Sequence, residues 1–185
     1  KFEVFSSDES FGEVNWELIG EHNLSNALAS LTIADELGLD LSKAVKSLSS
    51  FKGVSRRMEL LFSNDDIHIY DDFAHHPTAI KKTLEGLRNR VGLDPIHCLL
   101  EMRSNTMSGG FHDNEIPSAV EKADFVHIFS KNKSQALGIA KMAKNMVAED
   151  SVDSFLSKWE KMPGHYVCFS NGSFDNVHQR LIKLI

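Results

Sequence analysis

Cysteine is scarce: Cys98 and Cys168 are the only two in 185 residues, and each sits in an apolar run that reads as a buried strand. That excludes a disulfide-stapled secreted scaffold and leads us to expect two reduced core thiols in a cytoplasmic protein. No apolar run approaches the ~20 residues of a membrane span. The opening Lys1-Phe2-Glu3-Val4-Phe5 has neither the apolar core nor the small-residue cleavage site of a signal peptide. Positive charge is also short. Lys and Arg number 20 against 26 Asp and Glu, a net charge of −6, so no basic face is expected to capture nucleic acid. Collagen-like and coiled-coil chains are excluded as well. What is present is ordinary: 42% hydrophobic and 25% charged residues, enough to bury a core. The length suits one domain, or one plus a small appendage.

Two phosphate-binding signatures are missing. There is no Gly-x-x-x-x-Gly-Lys-Ser/Thr, and no Gly-x-Gly-x-x-Gly follows a strand. A nucleotide touched by this chain is therefore not cradled at its phosphates by these residues alone. No Ser/His/Asp or Cys/His arrangement stands in recognisable local context either.

The first fifty-odd residues differ in pattern from the rest. Phe2–Phe5 and Val14–Ile19 are β-prone around the turn-rich Ser6-Ser7-Asp8-Glu9-Ser10. A helix begins near His22–Asn23 with an apolar stripe of Leu24, Leu28, Leu31, Ala34 and Leu37, and Gly38 is placed to stop it. Leu41, Val45 and Leu48 mark a second helix capped by Asp40 or Ser42. These pieces are too few to close a core, so residues 1–54 read as the edge of a larger domain, with a boundary near Phe51–Ser55.

From Ser55 onward the rhythm is α/β. Met58–Phe62 and Ile67–Tyr70 form a hairpin around Ser63-Asn64-Asp65-Asp66. Pro77–Arg90 is a helix, Ile96–Leu100 an apolar strand, Asn114–Lys122 a helix and Phe125–Phe129 a strand. Ser134–Asn145 and Ser151–Trp159 are helical, His165–Phe169 is a strand and Asp175–Ile185 a closing helix. Continuously apolar strands alternating with helices predict a Rossmann-like, mostly parallel sheet covered on both faces over residues 55–185.

Ligands of such sheets bind beyond the carboxyl ends of the strands, and three strands end in polar residues. After Ile67–Tyr70 come Asp71-Asp72-Phe73-Ala74-His75-His76-Pro77; after Ile96–Leu100, Glu101-Met102-Arg103-Ser104-Asn105-Thr106; after His165–Phe169, Ser170-Asn171-Gly172-Ser173. The first loop admits three readings. It could hold a metal through Asp72 and His75, although no further Cys/His spacing supports one. It could be a capped helix entry, or it could offer a carboxylate to a pair of ribose hydroxyls. In the second loop, Arg103 supplies a planar fork suited to a carboxylate. Asn171-Gly172-Ser173 could offer backbone N–H groups to an anion. Asn23 and Asn26 stand three apart on one helix and could read an adenine edge, or serve as a cap plus a surface amide.

In this order, these segments resemble the Mur ligases. Gly20-Glu21-His22-Asn23-Leu24-Ser25-Asn26-Ala27 is similar to the family's Gly-x-His-Asn-x-x-Asn-Ala motif. Arg57-Met58-Glu59 is similar to its Arg-hydrophobic-Glu stretch, and Asp72-Phe73-Ala74-His75-His76-Pro77 to its Asp-Tyr-Ala-His-x-Pro. Tyr70 to Ile80, Arg103-Ser104-Asn105-Thr106-Met107, and Ser170-Asn171-Gly172-Ser173-Phe174 with His178 resemble a member that adds a preformed peptide. Met102 and Asp175-Asn176 depart from that member's usual residues.

The resemblance implies a last piece of the central ATPase domain over 1–54 and a whole C-terminal domain over 55–185. It implies an enzyme using ATP and Mg2+, with most Mg2+ ligands outside this chain. The substrates it implies are UDP-N-acetylmuramate and the murein tripeptide. His22, Asn23 and Asn26 would hold adenine and Asp72 the ribose. Arg57, facing the phosphates, and His75 would be catalytic. His76, Arg103, Ser104, Asn105 and Asn171 would meet the peptide. Single-amino-acid addition, or a non-catalytic nucleotide- or peptide-binding module, are the alternatives.

Overall fold

Strand alternation and a two-residue turn organise the amino-terminal residues. In the computed structural model, which describes residues 1–185, the chain divides into two units, Lys1–Val54 and Ser55–Ile185. In the first, β1 (Phe2–Ser6) and β2 (Glu9–Val14) pair antiparallel around Ser7-Asp8, with Ser7 at φ 52°. Helices α1 (Glu21–Glu36) and α2 (Leu41–Ser50) follow. Asp40 caps α2, its carboxylate accepting the Lys43 N–H at 3.1 Å. The core is small: Val14, Leu31 and Val45, with Phe2, Val4, Phe11, Trp16 and Leu48 packed around them.

Two expectations for this unit are corrected. The return strand lies at Glu9–Val14, not Val14–Ile19, because the tight turn at Ser7-Asp8 starts it early. The apolar stripe of α1 is mostly uncovered. Leu31 is buried, but Leu24, Leu28 and Leu37 are 46%, 66% and 70% exposed. A two-stranded hairpin and one short helix are too narrow to cover a helix of 16 residues.

The second unit is built on a six-stranded sheet, with β3 (Glu59–Ser63), β4 (Ile67–Asp72), β5 (Ile96–Glu101), β6 (Phe125–Phe129), β7 (Met146–Glu149) and β8 (Gly164–Phe169). Their order is β3-β4-β8-β5-β6-β7. Only β3 runs antiparallel, paired to β4; every other neighbour is parallel. The last strand is thus inserted between the first two parallel ones. Its entry is tight. Gly164 sits at φ 137°, and a Cβ there would lie 2.5 Å from the Pro95 carbonyl oxygen. The Gly164 N–H reaches Asp66 O, and the His165 N–H reaches Pro95 O, both at 2.8 Å.

Helices cover both faces. Val152 and Phe155 of α7 (Val152–Lys158) and Val177 and Leu181 of α8 (Val177–Ile182) bury Ile67, Ile69, Leu99, Tyr166 and Cys168. On the opposite face, α3 (Pro77–Val91) buries Ile80, Leu84 and Leu87, and α5 (Ile116–Ala119) buries Ile116 and Ala119. Cys98 and Cys168 are free, fully buried thiols, and burial pushes both well above the ordinary thiol range. No helix is long and apolar enough to cross a membrane.

Three element boundaries differ from the sequence reading. Asn114–Lys122 is a 3-10 turn (Asp113–Glu115) followed by α5, because Pro117 lacks an N–H and belongs in a first turn. The helix placed at Ser134–Asn145 is α6 (Lys133–Ala140), and the strand β7 follows it. Long-range pairing decides this: Asn145 O accepts the Val126 N–H at 2.8 Å, and its side chain donates to Ala123 O at 2.9 Å. The closing helix starts late because Phe174, Asp175 and Asn176 are all left-handed, at φ 48°, 45° and 52°. That run turns the Phe174 ring edge-on to Phe129, with centroids 5.0 Å apart.

Candidate functional site

Inserting β8 makes the three polar strand ends immediate neighbours. Asp72 pairs with Phe169, and Phe169 with Leu100, so the Asp72, Ser170 and Glu101 loops leave the same edge of the sheet side by side. The Ser170 N–H donates to Asp72 O at 3.1 Å, and the Ser170 hydroxyl donates to Glu101 Oε2. Asp72, Arg103 and Asn171, named from separate stretches of sequence, therefore belong to one rim.

Asp72 is only 3% exposed. Its Oδ2 accepts the Met58 N–H at 2.8 Å and its Oδ1 the Ala74 N–H at 2.7 Å. Burial raises its pKa above the ordinary carboxylate value, partly opposed by those two N–H groups and by Arg57. The carboxylate thus anchors its own loop.

The adjacent arginines have opposite roles. Arg57 is exposed and makes no side-chain hydrogen bond, so its charge is available. Arg56, which the sequence reading did not single out, is the structural one. Its Nε donates to Asp71 Oδ2 at 2.9 Å, and its Nη2 donates to Ser170 O and Gly172 O at 2.8 Å each. Its guanidinium also lies 5.1 Å from the centre of the Phe73 ring. Arg56 holds a left-handed φ of 58°, and its N–H donates to Glu59 Oε2 at 2.7 Å. That carboxylate is kept below its ordinary pKa chiefly by this bond. Two arginines in a row look equivalent in sequence, and only the fold shows which one is enclosed.

His75 is half-buried. Its Nδ1–H donates to Phe73 O at 2.9 Å, which leaves Nε2 as the free nitrogen. His76 is the N-cap of α3, its Nδ1 accepting the Thr78 N–H at 3.3 Å, and its ring meets His112 edge-on at 4.6 Å. The capped-entry reading of this loop thus describes His76. In the next loop, Ser104 Oγ caps the short helix α4 (Asn105–Ser108) by accepting the Met107 N–H at 3.3 Å. Asn105 is exposed. Gln135 fixes this loop from below: its Nε2 donates to Met107 O at 2.6 Å and to Asp113 Oδ1 at 2.8 Å. Arg103 makes no side-chain hydrogen bond, and its nearest carboxylate contact, Glu101 Oε1, is 3.9 Å away. Asn171 buries its Oδ1 without a partner. His178, which lies close enough to sense the charges of Asp71 and Arg56, buries an unpartnered Nδ1, and burial lowers its pKa.

In the first unit, the Asn23 side chain donates to Ile19 O at 2.8 Å, pinning the chain that enters α1. Asn26 is exposed one turn later. The His22 ring packs against Gly20, where a Cβ would lie 2.7 Å from it. No group of three or more His, Cys, Asp or Glu side chains gathers to hold a metal, so these residues do not by themselves fit a Mg2+ site.

Comparison with known proteins adds a family. The family described as Mur ligase, glutamate ligase domain, matches residues 56–168. A UDP-N-acetylmuramate–L-alanyl-γ-D-glutamyl-meso-2,6-diaminoheptandioate ligase of Haemophilus influenzae is 36% identical over 98% of this chain and 42% of its own length. A UDP-N-acetylmuramate–L-alanine ligase of Dictyoglomus turgidum is 43% identical, but over 48% of this chain and 19% of its own length. Among solved structures, a murein peptide ligase of Psychrobacter arcticus superposes with a TM-score of 0.68 and 33% identity, over 92% of this chain and 38% of that one. The chain spans about two fifths of the length of the curated relatives it matches end to end.

Proposed function

Since the chain belongs to the Mur ligases, we propose that it is the carboxyl-terminal part of an ATP-dependent ligase that joins L-alanyl-γ-D-glutamyl-meso-diaminopimelate to UDP-N-acetylmuramate. Such a reaction serves peptidoglycan recycling and takes place in the cytoplasm. Residues 1–54 are then the end of the central ATPase domain and 55–185 the C-terminal domain. The uncovered Leu24 and Leu28 of α1 suit a helix that meets the rest of that domain. The observation carrying the substrate choice is the extent of similarity. Tripeptide-adding relatives match 98% of the chain, whereas the alanine-adding relative matches 48%.

In the reaction, a muramate carboxylate oxygen bonds to the γ-phosphorus of ATP and ADP leaves. The peptide's amino nitrogen then attacks the acyl carbon, phosphate leaves, and the nitrogen loses a proton. This chain's residues bind and orient. Arg57, charged and unengaged, faces the transferred phosphoryl group, where a fixed cation stabilises growing negative charge. His75 offers its free Nε2 to the substrates. Arg103, Asn105 and Asn171 meet the peptide carboxylates, which diaminopimelate and γ-glutamate supply in number; Ser104 shapes their loop, and His76 lines its side. Asn23 and Asn26 contact adenine. Asp72 keeps lone pairs free beside its two backbone N–H partners but is 3% exposed, so its contact with the ribose needs the 72–76 loop to move. Positioning an amine against an acyl phosphate while water is excluded requires closure, for which a separately folded C-terminal unit is suited. Mg2+ accompanies ATP, its ligands supplied from outside these residues.

The test is phosphate release by the intact enzyme from ATP, UDP-N-acetylmuramate and either the tripeptide or free amino acids. Turnover with the tripeptide is expected; turnover with only L-alanine or diaminopimelate would overturn the assignment. The 185-residue chain alone is expected to release no phosphate above blank.

A further inference from the structure

Arg103 lies flat on a glycine. A Cβ built on Gly172 would fall 2.6 Å from Cζ, Nε and Nη1 of Arg103, so a side chain there would push the guanidinium off its seat. The backbone of Gly172 is outside the left-handed region, so its conformation does not call for glycine; a side chain there would act by displacing the guanidinium. The turn bearing Gly172 is fixed on all sides. The Gly172 N–H donates to Ser170 Oγ at 2.8 Å, and Ser170 Oγ in turn donates to Glu101 Oε2. From the other side, Arg56 Nη2 holds Ser170 O and Gly172 O. Glu101 therefore uses one oxygen to brace the turn, and its other oxygen faces Arg103 at 3.9 Å. That distance attracts the guanidinium without occupying its hydrogen-bonding fork.

We propose that the Ser170–Gly172 turn is the positioning element that aims Arg103 at a carboxylate of the incoming peptide, with Gly172 the specificity-determining position. This rests on the peptide-ligase reading above. A guanidinium seated on a backbone surface loses little further freedom when it binds, and its planar edge stays open for a bidentate acid. The turn follows β8, lies between the Asp72 loop and the Arg103 loop, and so couples the geometry of the two.

A double-mutant cycle in the intact enzyme tests this, with KM and kcat measured for tripeptide and for ATP in wild type, Gly172→Ala, Arg103→Ala and the double variant. Gly172→Ala is expected to raise the tripeptide KM roughly 10-fold or more, the loss of about one charge-assisted hydrogen bond. The ATP KM should stay within about twofold of wild type. If the glycine acts through the arginine, the double variant is no worse than Arg103→Ala alone. Multiplying losses, or an ATP KM that rises with the tripeptide KM, would overturn the proposal. Wild-type enzyme that rejects the tripeptide and accepts a free amino acid overturns the peptide reading instead, and the same cycle run with that amino acid still decides the role of Gly172.

Discussion

In Ser55–Ile185, helices lie on both faces of a six-stranded sheet, and Ile67, Ile69, Ile96 and Leu99 have no exposed surface. In Lys1–Val54, the helix carrying Leu24, Leu28 and Leu31 leaves Leu28, and Leu37 at its end, mostly in solvent. Both units contain helices rich in apolar residues, and the outcome differs because burial needs a second layer wide enough to receive the side chains. A hairpin and two helices bury only Val14, Ala27, Leu31, Leu41 and Val45; the doubly covered sheet buries nearly every residue of its inner strands β4, β8 and β5. Periodicity thus reports which face seeks a partner, and the rest of the fold decides whether one is there.

The comparison can be broken most directly in the core. Leu99→Ala should lower unfolding free energy in urea by about 3–5 kcal/mol, the cost of a cavity among fully packed neighbours. A loss below about 1 kcal/mol would show the second unit to be as loosely packed as the first.

The next effect is electrostatic. His97 is 3% exposed and stacks between Phe125 and Tyr166 at 4.7 and 4.2 Å. Burial lowers its pKa from 6.5 to about 4. As pH falls from 6.5 towards 4, the unfolded chain takes up this proton while the folded protein does not, so stability falls across that window and levels off below it. His165 and His178 are shifted in the same direction and add to the slope. His97→Gln should remove on the order of 3 kcal/mol of the difference between pH 7 and pH 4. Denaturation curves at the two pH values check this, and an unchanged difference would assign the acid sensitivity elsewhere.

The arginine pair sharpens the comparison within one unit. Arg56→Ala should cost about 2 kcal/mol, because Asp71 loses its partner and two carbonyls lose a donor. Arg57→Ala should leave thermal stability unchanged while greatly reducing phosphate release in the intact enzyme. Equal destabilisation by both would contradict the division of roles. The smallest effect is expected on α1: in the 185-residue chain, Leu28→Gln, at a 66% exposed position, should change stability by no more than about 0.5 kcal/mol. A large loss would mean that the helix face is covered in solution.

Much of the fold was legible in the sequence. Continuous apolar strands between helices announced a parallel sheet, and the three strand ends with polar residues do lie side by side on one edge of it. The four-residue strand β7 was not legible, because Met146-Val147-Ala148-Glu149 is too short to carry a period and follows a helix without punctuation. Arg56 was missed for a related reason. Its partners, Asp71, Ser170 and Gly172, lie 15 to 116 residues away, and no local pattern announces such a contact. The left-handed run at Phe174–Asn176 carries only the weak signal of Asp175 and Asn176, which tolerate that region better than most residues, and none from Phe174.

The sequence by itself determined which side-chain types stand at the strand ends and which segments seek burial, because side-chain type and apolar spacing are local properties. Tertiary structure alone decided that β8 slots between β4 and β5, which arginine is enclosed, and that Gly172 lies beneath Arg103. Those outcomes depend on strand order and register, which only long-range hydrogen bonding and packing can set.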